Sequence, residues 1–352
     1  MAETGDESEA GRMAEGSTTR DDVPVPHDPA AVTAAWLQQA LGRNVLSFQR
    51  SDEVSTWGAH VRIIAEVQGQ PAPLKLRVKI GSASVFGRSE VDYYLRDFVG
   101  LKEAPLVRCH HAAADGTHYH LLLDDMTDTH RIQDDVPVTG EYGRALVESV
   151  AKLHAHRWTR SPADAETIRT SCARPCEGLP RMLAAMEEGF SDADRARVAE
   201  ALDWLPEALV LRAANPSGFS WVHGDLNPGN ILAPISGPGQ VLLLDYQPFA
   251  GPPISDQLAM SDLAHAMVLW WPEAARRMWA SQVLEHWHQQ LCSLGAGYAS
   301  SDQLREDWQL CVARTLLVPV SRCAEPGAVT THRQLWEMHV RRALAALADA
   351  RG

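Results

Sequence analysis

Three oxygen-bearing side chains, Asp225, Asn230 and Asp245, sit within residues 221–247, WVHGDLNPGNILAPISGPGQVLLLDYQ. In this stretch WV and IL are short β-type runs, HGDLNPG is a polar loop rich in breakers, SGPG is a turn, and VLLL is a buried strand ending on Asp245. The pattern predicts strand, loop, strand, turn, strand. If the last two strands pair as a hairpin centred on Gly237 and Pro238, Asn230 and Asp245 are symmetric about the turn, with Cβ atoms roughly 5 Å apart. An amide oxygen and a carboxylate at that spacing suit one hard divalent cation such as Mg2+. Asp225 precedes Asn230 by five residues on the intervening loop. Phosphoryl transfer needs such a set: metal ions to neutralise nucleotide phosphates, and a separate carboxylate to receive the proton of the attacking hydroxyl.

The spacing of Asp225 and Asn230 matches the kinase catalytic loop H-R-D-L-x-x-x-N, and Asp245 stands where the D of D-F-G would follow. HGDLNPGNIL followed by LLDYQ resembles the aminoglycoside phosphotransferase and choline-kinase-like branch of the protein-kinase fold. The resemblance implies an α+β, bilobal fold, with a small antiparallel sheet lobe and a larger, mainly helical lobe. It implies Asp225 as catalytic base, Asn230 and Asp245 as Mg2+ ligands, and ATP or GTP as phosphoryl donor. The bland alternative is a buried polar loop that ties strands together, which would leave costly unpaired groups.

The chain has 352 residues, long enough for two lobes or one large core, and a net charge of −13. That charge argues against nucleic acid as a partner. No apolar run reaches the length of a membrane span and the N-terminus lacks a signal-peptide pattern, so a cytoplasmic location without membrane partners is expected. Six cysteines, at 109, 172, 176, 292, 311 and 323, form no paired metal framework and are expected to be reduced. Cys172 and Cys176 lack the second pair that a zinc site would need.

Composition predicts an acidic, disordered tail at 1–22, and the resemblance implies a nucleotide-binding lobe at 23–125 and a catalytic and acceptor-binding lobe at 126–352. Met13 is an alternative start. A helix is expected to open with Asp28 as N-cap and Pro29 in its first turn, and to close at Gly42. Residues 45–80 read as strands. LKLRVKI places Leu74, Leu76, Val78 and Ile80 on one face, opposite Lys75, Arg77 and Lys79. By likeness to the V-A-I-K strand, Lys79 is the phosphate-binding cation, with Glu90 on the following helix as its carboxylate partner. Asp92 and Asp97 compete for that role, and a solvated strand face accounts for the other cations. Apolar residues at 91, 94, 95 and 98 have helical spacing, ended by Gly100.

Ser55 and Thr56 lie where a kinase carries its glycine-rich loop, as phosphate-contacting hydroxyls or as an ordinary hairpin turn. Residues 104–126 read as a hairpin about Asp115 and Gly116. Its histidines, at 110, 111, 118 and 120, raise a metal site without fixing a third ligand, so a solvated hairpin is expected. The segment 123–126, with Asp124, would connect the lobes and offer backbone groups to a purine edge.

From Thr139 the pattern turns helical, with an apolar stripe at 146, 147, 150 and 153 ending in LHAHRW, whose His154 and His156 read as structural. Residues 178–214 hold two helices that resemble the family's variable cap. The family places an aspartate before Leu-Ala that braces the catalytic loop through backbone amides and the loop histidine, here His223. Asp256 and Asp262 compete, and Asp262 is preferred because a helix follows. Frequent tryptophans from Trp270 onward are either core or pocket lining. Asn227 replaces the basic residue expected two positions after a protein kinase's loop aspartate, A-P-E is missing, and no P-loop sequence occurs.

The expected activity is therefore an Mg2+-dependent O-phosphotransferase acting on a small hydroxylated molecule. Resemblance to the choline- and ecdysteroid-kinase-like group, and to antibiotic phosphotransferases including capuramycin-type ones, leaves the acceptor open. A reduced protein kinase and a nucleotide-binding pseudokinase scaffold are the alternatives.

Overall fold

A computed structural model describes residues 23–351, apart from 56–57, 160, 187–189, 238, 247–256, 299 and 325–327. The expected tail, Thr56 and Asp256 lie outside the described residues. By packing, the chain divides into one unit of residues 1–91 and 108–125 and a second of 92–107 and 126–352.

In the first unit, helix α1 (Ala34–Leu41) precedes the strands β1 (Val45–Ser55), β2 (Gly58–Val67) and β3 (Leu74–Ser82). The short turns α2 (Ala83–Phe86) and α3 (Ser89–Asp92) follow, then β4 (Cys109–Ala114) and β5 (His118–Asp124). Among the described residues these strands form one antiparallel sheet in the order β1-β2-β3-β5-β4. The expected alternation on β3 is present: Leu76, Val78 and Ile80 are buried, and Lys75 is exposed. They join Val61 and Ile63 of β2 and Trp36 and Leu37 of α1 in the core of this unit.

The single helix expected from Asp28 to Gly42 is instead two pieces. Asp28 caps a 3-10 turn, Pro29–Ala31, accepting the Ala31 N–H at 3.1 Å, and Thr33 then caps α1, accepting the Trp36 N–H at 3.2 Å. A second side-chain oxygen in reach of a free backbone N–H restarts the helix, and Val32 is buried at the break.

The helix expected from Glu90 to Gly100 also changes character. After α3 the backbone passes into a π-helical turn, Tyr93–Asp97. The widened turn shifts the buried face, so Tyr93 is buried and Leu95 is 52% exposed, against the 3.6-residue spacing.

After this turn, the second unit continues with β6 (His130–Ile132), α4 (Gly140–His156), α5 (Ala165–Cys176), α6 (Leu179–Ala185) and α7 (Asp192–Ala213). Next come β7 (Phe219–Ser220), β8 (Ile231–Pro234), β9 (Leu242–Leu243) and β10 (Gln257–Leu258). The helices α8 (Met260–Ala264), α9 (Glu273–Ser293), α10 (Ser301–Arg314), α11 (Leu317–Arg322) and α12 (Ala328–Arg351) complete it. The α4 stripe Leu146, Val147, Val150 and Leu153 is buried, and α4 lies along α9. Trp271, Trp287 and Trp336 are buried in the core, so these tryptophans fill it rather than line a pocket. Among the described residues no helix is long and apolar enough to cross a membrane.

Two details of residues 221–247 differ from expectation. The first strand is Phe219–Ser220, paired with β10, and stops before Trp221. The hairpin of β8 and β9 pairs Ile231 with Leu243 and Leu232 with Leu242, one residue away from the expected register. Asn230 therefore faces Leu244, whose N–H it accepts at 2.9 Å, and Asp245 falls just past the ladder. Apolar burial sets this register: Ile231, Ala233, Leu242 and Leu243 are buried, and a slip of one would turn them outward.

Candidate active site

The loop between β7 and β8 is shaped by one buried carboxylate. Asp262, in the first turn of α8, accepts the His223 N–H through Oδ2 at 2.7 Å and the Gly224 N–H through Oδ1 at 2.8 Å. His154, at the end of α4, donates Nε2–H to Oδ2 at 3.1 Å, and Ser220 donates its hydroxyl to the His154 carbonyl at 2.7 Å. Burial pushes the Asp262 carboxyl up, but the bond from His154, the nearby His154 and His223 rings and the Gly224 N–H outweigh it and hold the group below the usual carboxylate range.

The role expected of Asp262 toward the backbone amides thus has its geometry. The histidine of the loop does not complete it as expected, because the His223 ring turns elsewhere. Nδ1 of His223 accepts the Asp225 N–H at 3.3 Å, and Nε2 lies 2.7 Å from the Leu244 carbonyl oxygen. An amide N–H can only donate and a carbonyl can only accept, so the ring is the neutral Nε2–H tautomer. His223 thereby ties the backbone of Asp225 to the residue preceding Asp245.

Asp225 and Asn230 meet across the loop. Asn230 Nδ2 donates to the Asp225 backbone oxygen at 2.9 Å and lies 3.3 Å from its Oδ2. Donation through Nδ2 assigns the amide, so Oδ1 is its acceptor atom. The N–H of Asn230 bonds the Asn227 carbonyl at 3.0 Å, closing a 3-10 turn over Pro228–Asn230. The Asp225 carboxyl is raised by burial and lowered more strongly by His265, Asn227 and His223, so it stays ionised below the usual range.

Asp245 takes a left-handed backbone conformation, with φ of 54°. Tyr246 beyond it stacks on Tyr93, with ring centroids 4.3 Å apart and planes 11° from parallel. This turn in the chain, rather than the predicted cross-strand pairing with Asn230, decides where the Asp245 carboxylate goes.

In the first unit, Lys79 Nζ lies 3.0 Å from Glu90 Oε1 and 2.9 Å from Oε2, and Glu90 is buried. The competing acids are engaged differently: Asp92 and Asp97 contact Arg96 at 3.2 and 2.7 Å. Ser55 ends β1 and pairs with Gly58, so residues 56–57 alone make the connection. A Cβ on Gly58 would lie 2.3 Å from the Ile80 carbonyl oxygen, so sheet packing itself demands this glycine. Asp124 contacts His110 at 2.6 Å, and its N–H bonds Arg108.

The hairpin histidines are not all solvated, as had been expected. His120 is buried against Trp36, bonded to His111 at 2.8 Å, and pushed down to about 3 by burial and by the His111 ring. His118 stacks instead on His27, and Asp115 holds this corner, bonding His27 Nε2 at 2.6 Å and the Thr117 and His118 amides at 2.8 Å each.

His265, a residue beyond the expected set, has its Nε2 3.4 Å from Asp225 Oδ1. A signal existed: His265 is three residues beyond Asp262 on a helix, and such positions share a face. His154 was read as structural without its partner, Asp262, because 108 residues separate the two.

The chain matches a model of the phosphotransferase enzyme family over residues 100–304, more than half its length. Its fold is similar to that of an aminoglycoside phosphotransferase from Alicyclobacillus acidocaldarius, at TM-score 0.54 and 12% identity, covering 93% of this chain and 96% of that one. A choline kinase from Cryptosporidium parvum gives TM-score 0.53 at 11% identity, with 86% and 90% covered. A spectinomycin phosphotransferase, solved with ADP and spectinomycin, gives 0.52 at 10%, with 88% and 96% covered. No curated protein sequence matches.

Proposed function

The chain belongs to the phosphotransferase enzyme family and is a small-molecule kinase, and from that premise we propose that it transfers the γ-phosphoryl group of ATP or GTP to a hydroxyl of a small acceptor in the cytoplasm. The observation that carries this reading is the loop of Asp225. Its backbone is held by His223 and Asn230, and its carboxylate is kept ionised. An ionised carboxylate on an immobilised loop is suited to orient an acceptor hydroxyl and take its proton as the bond to phosphorus forms.

Asn230 through Oδ1 and Asp245 through its carboxylate are the hard oxygen donors that would hold Mg2+. When bound, that ion would neutralise charge on the nucleotide phosphates. Lys79, gripped by Glu90, is assigned to the same phosphates, and the backbone about Asp124 to the base. Lysine is suited to this as a compact charge whose position a buried carboxylate can fix.

Antibiotics and choline-like alcohols are the acceptor classes to try first, given spectinomycin and choline in the names of proteins with this fold. The test is a panel of hydroxylated metabolites and antibiotics incubated with the protein, Mg2+ and ATP or GTP. One member should gain the mass of one phosphoryl group, with equimolar release of nucleoside diphosphate. Release of diphosphate without any modified acceptor across a broad panel would count against the reading.

A further inference from the structure

A second π-helical turn, His265–Trp270, lies beside Asp225. Its i+5 bonding is seen where the Trp271 N–H meets the Ala266 carbonyl at 3.2 Å. Such turns bring side chains five apart into line, and His265 and Trp270 are one such pair. The Trp270 indole Nε1–H donates to His265 Nε2 at 3.2 Å. The same Nε2 lies 3.4 Å from Asp225 Oδ1.

One imidazole nitrogen cannot serve both neighbours at once. With a proton it donates to the carboxylate and has nothing for the indole; with a lone pair it accepts the indole N–H and repels the carboxylate. Both neighbours are thus satisfied in alternation, through the two tautomers of one ring. Asp225 Oδ2 is meanwhile within 3.3 Å of Asn230 Nδ2, so the two carboxylate oxygens are approached from different elements.

Behind the indole stands His339, buried, with its ring 4.7 Å from Trp270 at 80° and both nitrogens without a partner among the described residues. Burial, with His265 and Arg342 nearby, pushes it down to about 3, so it backs the indole as a neutral ring. The Arg342 guanidinium turns away to the Leu269 carbonyl at 2.6 Å.

We propose that His265 is the positioning residue for Asp225: its Nε2–H fixes the carboxylate plane together with Asn230, and Trp270 takes over that nitrogen whenever the carboxylate moves off. This rests on the reading of Asp225 as the base. The π turn is what makes the exchange possible, because a regular helical spacing would not align residue 265 with residue 270.

The test uses the full chain with Mg2+ and ATP, water serving as the acceptor, and follows ADP release. H265L should lower kcat roughly ten- to a hundredfold, the scale of a misplaced reacting group, with KM for ATP unchanged. H265Q retains an N–H donor and should recover most of the loss. In a D225N background H265L should cost nothing further, since its effect passes through Asp225. The indole N–H resonance of Trp270, identified by its loss in W270F, should move downfield in D225N, as His265 Nε2 is released to the indole.

A wild-type rate for H265L, an H265Q as slow as H265L, or an undiminished H265L loss in D225N would each overturn the proposal. If D225N itself hydrolyses ATP at the wild-type rate, the reading of Asp225 falls first, and the indole resonance separately reports whether His265 joins the two side chains. If H265L does not fold, H265Q and the resonance decide: an indole signal indifferent to D225N refutes the exchange.

Discussion

Two carboxylates thirty-seven residues apart, Asp225 and Asp262, serve the same loop and are treated in opposite ways by the fold. Asp262 is wholly buried, and its oxygens take two backbone amides and a histidine at 2.7 to 3.1 Å. Asp225 is partly exposed, its side chain at 21%, and its contacts with Asn230 and His265 are longer, at 3.3 and 3.4 Å. The first has its lone pairs committed inside the protein; the second keeps capacity toward what arrives from solvent. A buried acid that is fully bonded stabilises the backbone, whereas an acid with spare acceptor capacity on a pinned backbone is able to do chemistry. Substitutions at the two should therefore separate turnover from stability.

The largest effect is expected from Asp225→Ala. Loss of a positioned general base should lower turnover about a hundred- to ten-thousandfold, with the melting temperature little changed and nucleotide affinity intact. A melting temperature that collapses with the rate would erase the distinction between the two acids. Next, Asp262→Asn removes one partner of a buried ionic cluster and should destabilise the protein by about 3–5 kcal/mol in denaturant titration. The pH dependence gives the sign. The Asp262 carboxyl is held low in the folded protein, so its contribution is fully present above the unfolded carboxylate pKa of about 3.9 and is lost as pH falls through the lower folded value. Asp262→Asn should flatten the acid limb of stability below about pH 4, and a limb unchanged by the substitution would show that other acids set it.

A smaller effect belongs to Ser220→Ala. It removes the bond to the His154 carbonyl, which also accepts the Arg157 N–H at 3.3 Å, so no group is left orphaned. About 1 kcal/mol of stability should go, with kcat unchanged. A fall in kcat at full stability would mean that the brace also tunes the chemistry.

The same contrast explains what could be read in the residues alone. Spacing on a loop is local, so HGDLNPGN already indicated that Asp225 and Asn230 meet, and the alternation of β3 already put Lys79 opposite the buried face. The short apolar runs of β8 and β9 were legible as strands, but their register was not. The turn residues admit two centres, and only packing of Ile231 and Leu243 against the core chooses between them. Long-range partners were equally hidden: nothing near Asp262 in sequence names His154. Both π-helical turns, at Tyr93–Asp97 and His265–Trp270, break the 3.6-residue period on which periodicity rests, which is why the apolar spacing at Leu95 does not mark a buried face.

The smallest stability effect gives the sharpest form of the comparison. Asp245 holds a backbone conformation that side chains adopt at a cost, with φ of 54°, at the end of a strand where nothing in the ladder requires it. Glycine adopts the same conformation freely, so Asp245→Gly should leave stability unchanged or raise it by up to about 1 kcal/mol. If the carboxylate is there for Mg2+, the same substitution should abolish Mg2+-dependent nucleotide binding, read by calorimetry with and without the ion. A gain in stability joined to that loss is the signature of strain kept for function, the opposite of Asp262, where stability and geometry fall together. Nucleotide binding that persists at full Mg2+ dependence in Asp245→Gly would remove Asp245 from the metal site and leave Asn230 and Asp225 to account for it.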